Sequence, residues 1–132
     1  MIFMLDTNII IYAKNKRPEG LFQRLMECPP EDICISVITM AELEYGVFKS
    51  SQPDRNRLAL STLLSGIRVV PFDSNAAREY GDIRADLERR GIVIGGNDML
   101  IAAQARAMNL ILVTNNQREF ERIKGLKTEN WL

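Results

Sequence analysis

The sequence predicts an α/β domain in which helices cover both faces of a mainly parallel sheet of four to five strands. Three observations carry that prediction. Short apolar runs at Ile2–Leu5, Ile33–Ser36, Ile67–Phe72 and Leu110–Thr114 have the length of strands buried on both faces. The chain between them has helical periodicity, the alternation that yields parallel sheets. The first run, Ile2-Phe3-Met4-Leu5, ends directly on Asp6. A carboxylate therefore arrives at the carboxyl edge of a strand, where open α/β sheets bind ligands.

Taken in order, helical spacing begins near Thr7 and carries Ile9, Ile10 and Tyr12 up to a basic tip, Lys14-Asn15-Lys16-Arg17. Pro18 suits the first turn of a second helix reaching about Glu27, with Leu21, Leu25 and Met26 inward, and Pro29-Pro30 ends it. After the strand at 33–36, a helix over about 38–49 has Thr39 as its expected cap and Glu42 three residues on, a capping-box spacing. The break at Ser51-Gln52-Pro53-Asp54 opens a helix over about 54–65, with Leu58, Leu60, Leu63 and Leu64 apolar, and Gly66 closes it. Beyond the strand at 67–72, Asp73 or Ser74 caps a long helix whose stripe is Ala76, Tyr80, Ile83 and Leu87. Gly91 stops this helix, and a glycine-bearing loop leads to Asp98 at the start of an alanine-rich helix over about 99–108. Leu110–Thr114 is followed by Asn115-Asn116, a last helix over about 117–123, and a tail over 127–132 that can add an edge strand.

The 132 residues form one domain, 1–132, large enough to bury roughly 68% of the unfolded surface. No apolar run approaches the ~18 residues of a membrane span. The first apolar run lacks a preceding basic region, so no signal peptide and a cytoplasmic location are expected. With 17 basic and 17 acidic residues the formal charge is zero, which argues against indiscriminate binding to a long polyanion. Cys28 and Cys34 have no metal-type spacing and read as free thiols. The chain has no histidine, which removes Ser-His-Asp and Cys-His nucleophilic catalysis and histidine zinc sites. Any catalysis must run on carboxylates, lysine, tyrosine or a metal held by oxygen.

Three acids share the predicted carboxyl edge: Asp6 after the first strand, Glu42 in the helix after the second, and Asp98 at the head of the alanine-rich helix. Glu119, one turn into the helix after the last strand, is a fourth. Each also has an ordinary reading as a helix-capping or first-turn acid. Two carboxylates about 4 Å apart repel by roughly 4 kcal/mol at an effective dielectric of 20, against a total stability of about 5–15 kcal/mol. A cluster of three or four must take up protons or a cation, and Mg2+, with Mn2+ substituting, matches carboxylate and water ligands.

Four stretches in register carry a resemblance: Met4–Asn8, Ser36–Gly46, Gly95–Ala105 and Leu112–Phe120. Over essentially the whole chain the sequence resembles a PIN domain, and more narrowly the VapC toxins of bacterial type II toxin–antitoxin modules. That resemblance implies a PIN-like three-layer α/β/α sandwich and a Mg2+-dependent endoribonuclease. It implies Asp6 and Asp98 as metal ligands, joined by Glu42, with Thr7, Asn8 and Thr114 supporting the pocket. It implies a homodimer, a VapB antitoxin that blocks the acidic groove, and operator DNA bound only through that antitoxin. Many PIN domains place a fourth aspartate where this chain has Asn116, so Glu119 takes that acid's role. Hydrolysis by activated water would leave a 5′-phosphate and a 3′-hydroxyl. The substrate expected from the resemblance is structured RNA, often transfer RNA, and the closing stretch resembles the branch associated with initiator transfer RNA. Lys14, Lys16, Arg17, Arg84 and Arg118 are candidates for gripping it, with Arg89, Arg90 and Arg122 beside them.

The alternative is a catalytically silent PIN-like module that only binds a partner, against which the four acids count. A phospho-acceptor receiver domain would want paired acids after the first strand, and a Mg2+-dependent phosphatase a second aspartate at position 8, where Asn8 stands.

Overall fold

A computed structural model describes all 132 residues, Met1–Leu132. Five short strands, β1 (Phe3–Leu5), β2 (Ile33–Ser36), β3 (Arg68–Val70), β4 (Ile111–Val113) and β5 (Lys127–Glu129), form one sheet in the order β3-β2-β1-β4-β5. Every pairing is parallel. The seven helices are α1 (Thr7–Lys14), α2 (Glu19–Glu27), α3 (Val37–Lys49), α4 (Pro53–Leu64), α5 (Ser74–Arg89), α6 (Gly96–Ala107) and α7 (Gln117–Phe120).

Alternate residues of each strand face opposite layers. Met4, Cys34 and Leu112 join a core with Ile83 and Leu87 of α5 and Ile101, Ala102 and Ala105 of α6. Leu5, Ile35 and Val113 join a second core with Ile9 and Ile10 of α1, Leu21 and Leu25 of α2, Leu43 and Val47 of α3, and Leu60 of α4. The result is the expected three-layer α/β/α sandwich. The small side chains of Ala102, Ala103 and Ala105, all buried, let α6 lie close to the sheet.

Most predicted elements stand, and their ends differ where tertiary contacts decide. Ser36, not Thr39, caps α3: its hydroxyl accepts from the Ile38 N–H at 2.9 Å. Thr39 is instead buried in the first turn. Asp73 caps α5, accepting from the Ala76 N–H at 2.9 Å. Helix α6 starts at Gly96, three residues earlier than its alanine run implies. Asp98 is therefore inside the first turn, with its own N–H among the free donors of the helix start. Strand β3 is shorter than its apolar run because Pro71 has no N–H for the ladder. Met26 and Leu58, expected inward, are exposed: each lies off the stripe formed by Leu21 and Leu25, or by Leu60, Leu63 and Leu64. The tail does add an edge strand, β5, beside β4. Gly91, with φ +68°, takes the left-handed conformation that ends α5. No helix is long and apolar enough to cross a membrane.

Candidate active site

Strand β1 is the middle of the sheet, and the chain moves outward from it in opposite directions, to β2 on one side and β4 on the other. That reversal opens a crevice beyond the carboxyl ends of the strands. Asp6 sits there at the end of β1 and is only 4% exposed. One carboxylate oxygen accepts from the Thr7 N–H at 2.7 Å, and the other from the Thr114 hydroxyl at 2.8 Å. Thr114 in turn accepts from the Asn116 N–H at 3.0 Å. Asp6 is thus both the N-cap of α1 and a side chain locked from two directions. Burial raises its pKa; the bonds from Thr114 and Thr7 oppose that rise, and the charges of Glu42 and Glu119 add to it.

Glu42 does not form a capping box. The Thr7 hydroxyl donates to Glu42 Oε1 at 2.6 Å, across 35 residues of sequence, and lies 3.1 Å from the Thr39 hydroxyl. Asp98 is half-buried in the first turn of α6, and its pKa is pushed up to about 6. Burial is the main cause, followed by the charges of Glu119, Asp6 and Glu42. The Gly95 backbone approaches closely: a Cβ there would stand 3.4 Å from Asp98 Oδ2. Glu119 accepts from the Asn116 side-chain amide on one oxygen, and weakly from the Gly95 N–H at 3.4 Å on the other. Asn116 therefore orients Glu119 from the head of α7, three residues beyond β4, without bringing a charge.

The neighbouring carboxylates raise the cost of ionising Asp6 and Asp98, and none of the four acids forms an ion pair with a lysine or arginine. No three of them converge on one point as a ready-made cage. The donor set is oxygen alone and excess negative charge, which suits a hard divalent cation. Mg2+ keeps several waters and needs only one or two carboxylates from the protein, so an open arrangement fits it better than a closed one would.

The other predicted residues divide. Thr7, Thr114 and Asn116 belong to the network, whereas Asn8 is exposed and takes no part in it. Arg118 and Arg122 line an open polar recess with Asn116 and Glu119. Arg84 is tied to Glu88 at 3.0 Å and to the Tyr80 hydroxyl at 2.9 Å, and Arg90 to Asp86. Lys14, Lys16 and Arg17 lie at the far end of α1 from Asp6, about 12 Å along its axis. There Lys14 and Lys16 line a separate recess with Phe22, Met26 and Leu63. Of the buried polar residues, Thr39, expected as a helix cap, instead joins the network through Thr7, and Gln104 had no role expected from the sequence. Gln104 accepts from the Ser36 hydroxyl at 2.5 Å and donates to the Val70 and Pro71 carbonyls at 2.9 and 2.8 Å. A glutamine among alanines on a helix face aimed at the sheet was the available signal.

Comparison with known proteins places this geometry. Residues 3–126 match the model of the PIN domain family. A curated relative, Ribonuclease VapC2 of Rickettsia felis, is 46% identical over 132 residues, covering 99% of this chain and 98% of its own length. The tRNA(fMet)-specific endonuclease VapC of Shigella flexneri is 45% identical over 129 residues, covering 98% and 97%. Among solved structures, VapBC2 from Rickettsia felis bound to a DNA fragment from their promoter contains a chain that superposes with a TM-score of 0.93 at 44% identity, with 100% of both chains covered.

Proposed function

The chain belongs to the PIN-domain family, in its VapC branch, and from that membership we propose that it is a Mg2+-dependent endoribonuclease toxin that cuts structured RNA, transfer RNA above all. Its activity class is hydrolysis of RNA, and its partner is a VapB-type antitoxin. The observation that carries the reading is the set of four carboxylates at one crevice without a single basic partner, with the Asp98 pKa pushed up to about 6.

Asp6 and Asp98 are the proposed holders of Mg2+ (or Mn2+), with Glu42 beside them. When bound, the ion supplies charge neutralisation at the phosphoryl oxygen and a more acidic water. The chain supplies the rest. Thr114 and the Thr7 N–H hold Asp6 in one orientation, so its position costs no reorganisation during reaction. Glu119, held by Asn116, orients the attacking water. Arg118, which makes no ion pair within the chain, is the cation best placed to grip a phosphate beside Glu119. Attack by water leaves a 5′-phosphate and a 3′-hydroxyl.

Lys14, Lys16 and Arg17 stand one helix length from the acids and would be reached only by an RNA that extends across the domain. That separation, with zero net charge, favours a folded RNA recognised by shape. The name of the Shigella relative supports initiator transfer RNA as the substrate. The Rickettsia complex supports operator binding through the antitoxin. A homodimer is the proposed assembly.

The test is cleavage of purified bulk transfer RNA by the wild type and by Asp98→Ala, each with Mg2+ and with chelator. Cleavage of one or a few species by the metal-loaded wild type alone is expected, with 5′-phosphate ends. Equal cleavage by the variant, or cyclic-phosphate ends, would overturn the mechanism.

A further inference from the structure

We propose that Thr39 is a positioning residue for Glu42, acting through the Thr7 hydroxyl; the proposal rests on the nuclease reading above. Thr39 is on no exposed surface: it is 0% accessible, in the first turn of α3. Its hydroxyl has one hydrogen-bond partner, Thr7 Oγ1 at 3.1 Å, and Thr7 Oγ1 lies 2.6 Å from Glu42 Oε1.

Elementary hydrogen-bond accounting sets the direction of this chain. An ionised Glu42 accepts only, and a threonine hydroxyl has a single hydrogen to donate. Thr7 must therefore give its hydrogen to Glu42 at the shorter distance, and Thr39 must give its own to Thr7. With its hydrogen committed and a lone pair filled by Thr39, Thr7 is held in one rotamer, aimed at the acid. Polarisation along such a chain strengthens the bond to the carboxylate.

The placement explains why the residue is a β-branched hydroxyl. Thr39 and Glu42 are three apart on α3 and share one face of the helix. The Thr39 methyl is buried with the rest of the side chain, while its hydroxyl meets Thr7 on α1. Helix α3 is anchored independently by Ser36, which caps it. Thr39 is therefore not needed to begin the helix, and its buried hydroxyl bonds only to Thr7.

The experiment compares wild type, Thr39→Val and Thr39→Ser, each alone and in a Glu42→Gln background. Mn2+ affinity is measured by paramagnetic resonance, and kcat and KM with the RNA that the wild type cuts. Thr39→Val should lower kcat and weaken Mn2+ binding each by about three- to tenfold, the scale of the one neutral hydrogen bond it removes, with KM nearly unchanged. Thr39→Ser should restore both. In the Glu42→Gln background Thr39→Val should add little further loss, because its effect runs through the same acid. Thr39→Ala carries the same test if valine disturbs folding.

A Thr39→Val protein equal to wild type in kcat and Mn2+ affinity overturns the proposal. So does a Thr39→Ser as impaired as valine, or a full additional loss in the Glu42→Gln background, since either marks packing rather than the hydroxyl. A wild type that neither cuts RNA nor binds Mn2+ overturns the nuclease reading, and this role falls with it.

Discussion

At the scale of single residues, the site spends stability to gather charge. Asp98 in the folded chain binds its proton up to about pH 6, above the ordinary aspartate value near 3.9 in the unfolded chain. Its contribution is therefore fully present below about pH 4 and is lost as pH rises through about 6. Asp6 shifts in the same direction. Without metal, Asp98→Asn should match the wild type in melting temperature near pH 4 and exceed it by several degrees at pH 7.5. A constant difference across that range would mean that Asp98 titrates as an ordinary carboxylate. The residue scale is also where the sequence was least informative. Glu42 three after Thr39 looks like a capping box, yet Ser36 provides the cap and the acid is free for Thr7.

At the scale of elements, the question is what keeps the acid-bearing helices at a fixed separation. Gln104 does so from beneath. It joins α6, which carries Asp98, to Ser36 at the head of α3, which carries Glu42, and to the end of β3. At 1% exposure, it cannot be replaced by water from outside. Gln104→Leu keeps the size but strands the Val70 and Pro71 carbonyls, so it should destabilise by about 2–3 kcal/mol. Denaturant titration reads this directly, and an unchanged midpoint would show that the two carbonyls find other donors. A second tie fastens the last turn of α6 to α5, where Arg106 bonds Glu79 at 2.5 Å and Asp82 at 2.6 Å. Gln104 thus ties the α6 side of the crevice to the α3 side, while Arg106 holds α6 within its own layer.

At the scale of the whole molecule, an acidic crevice in a chain of zero net charge makes stability conditional on what fills it. A divalent ion that binds the folded state stabilises by about 2.7 kcal/mol at one hundred times its Kd, roughly 10 °C for a domain of this size. Mg2+ or Mn2+ should raise the melting temperature by that order, and Asp98→Asn should abolish the rise. An equal rise in the variant would place the ion elsewhere. The same negative field would favour a partner that brings a basic side chain to the crevice.

The sequence by itself determined the architecture and the edge on which the chemistry lies. Both are written locally: the short apolar runs Ile2–Leu5 and Leu110–Val113 have the length and the bounding polar residues of buried strands, and an acid directly after a strand must appear at its carboxyl end. Tertiary structure decided what each acid does there. Asp6 is oriented by Thr114, 108 residues away, Glu42 by Thr7, 35 residues away, and Glu119 by Gly95, 24 residues away, as well as by its near neighbour Asn116. The raised pKa of Asp98 comes from burial and from three charges on other elements. Hydrogen bonding and desolvation act through space over a few ångströms, so they depend on which elements meet, and spacing along one chain does not carry that information.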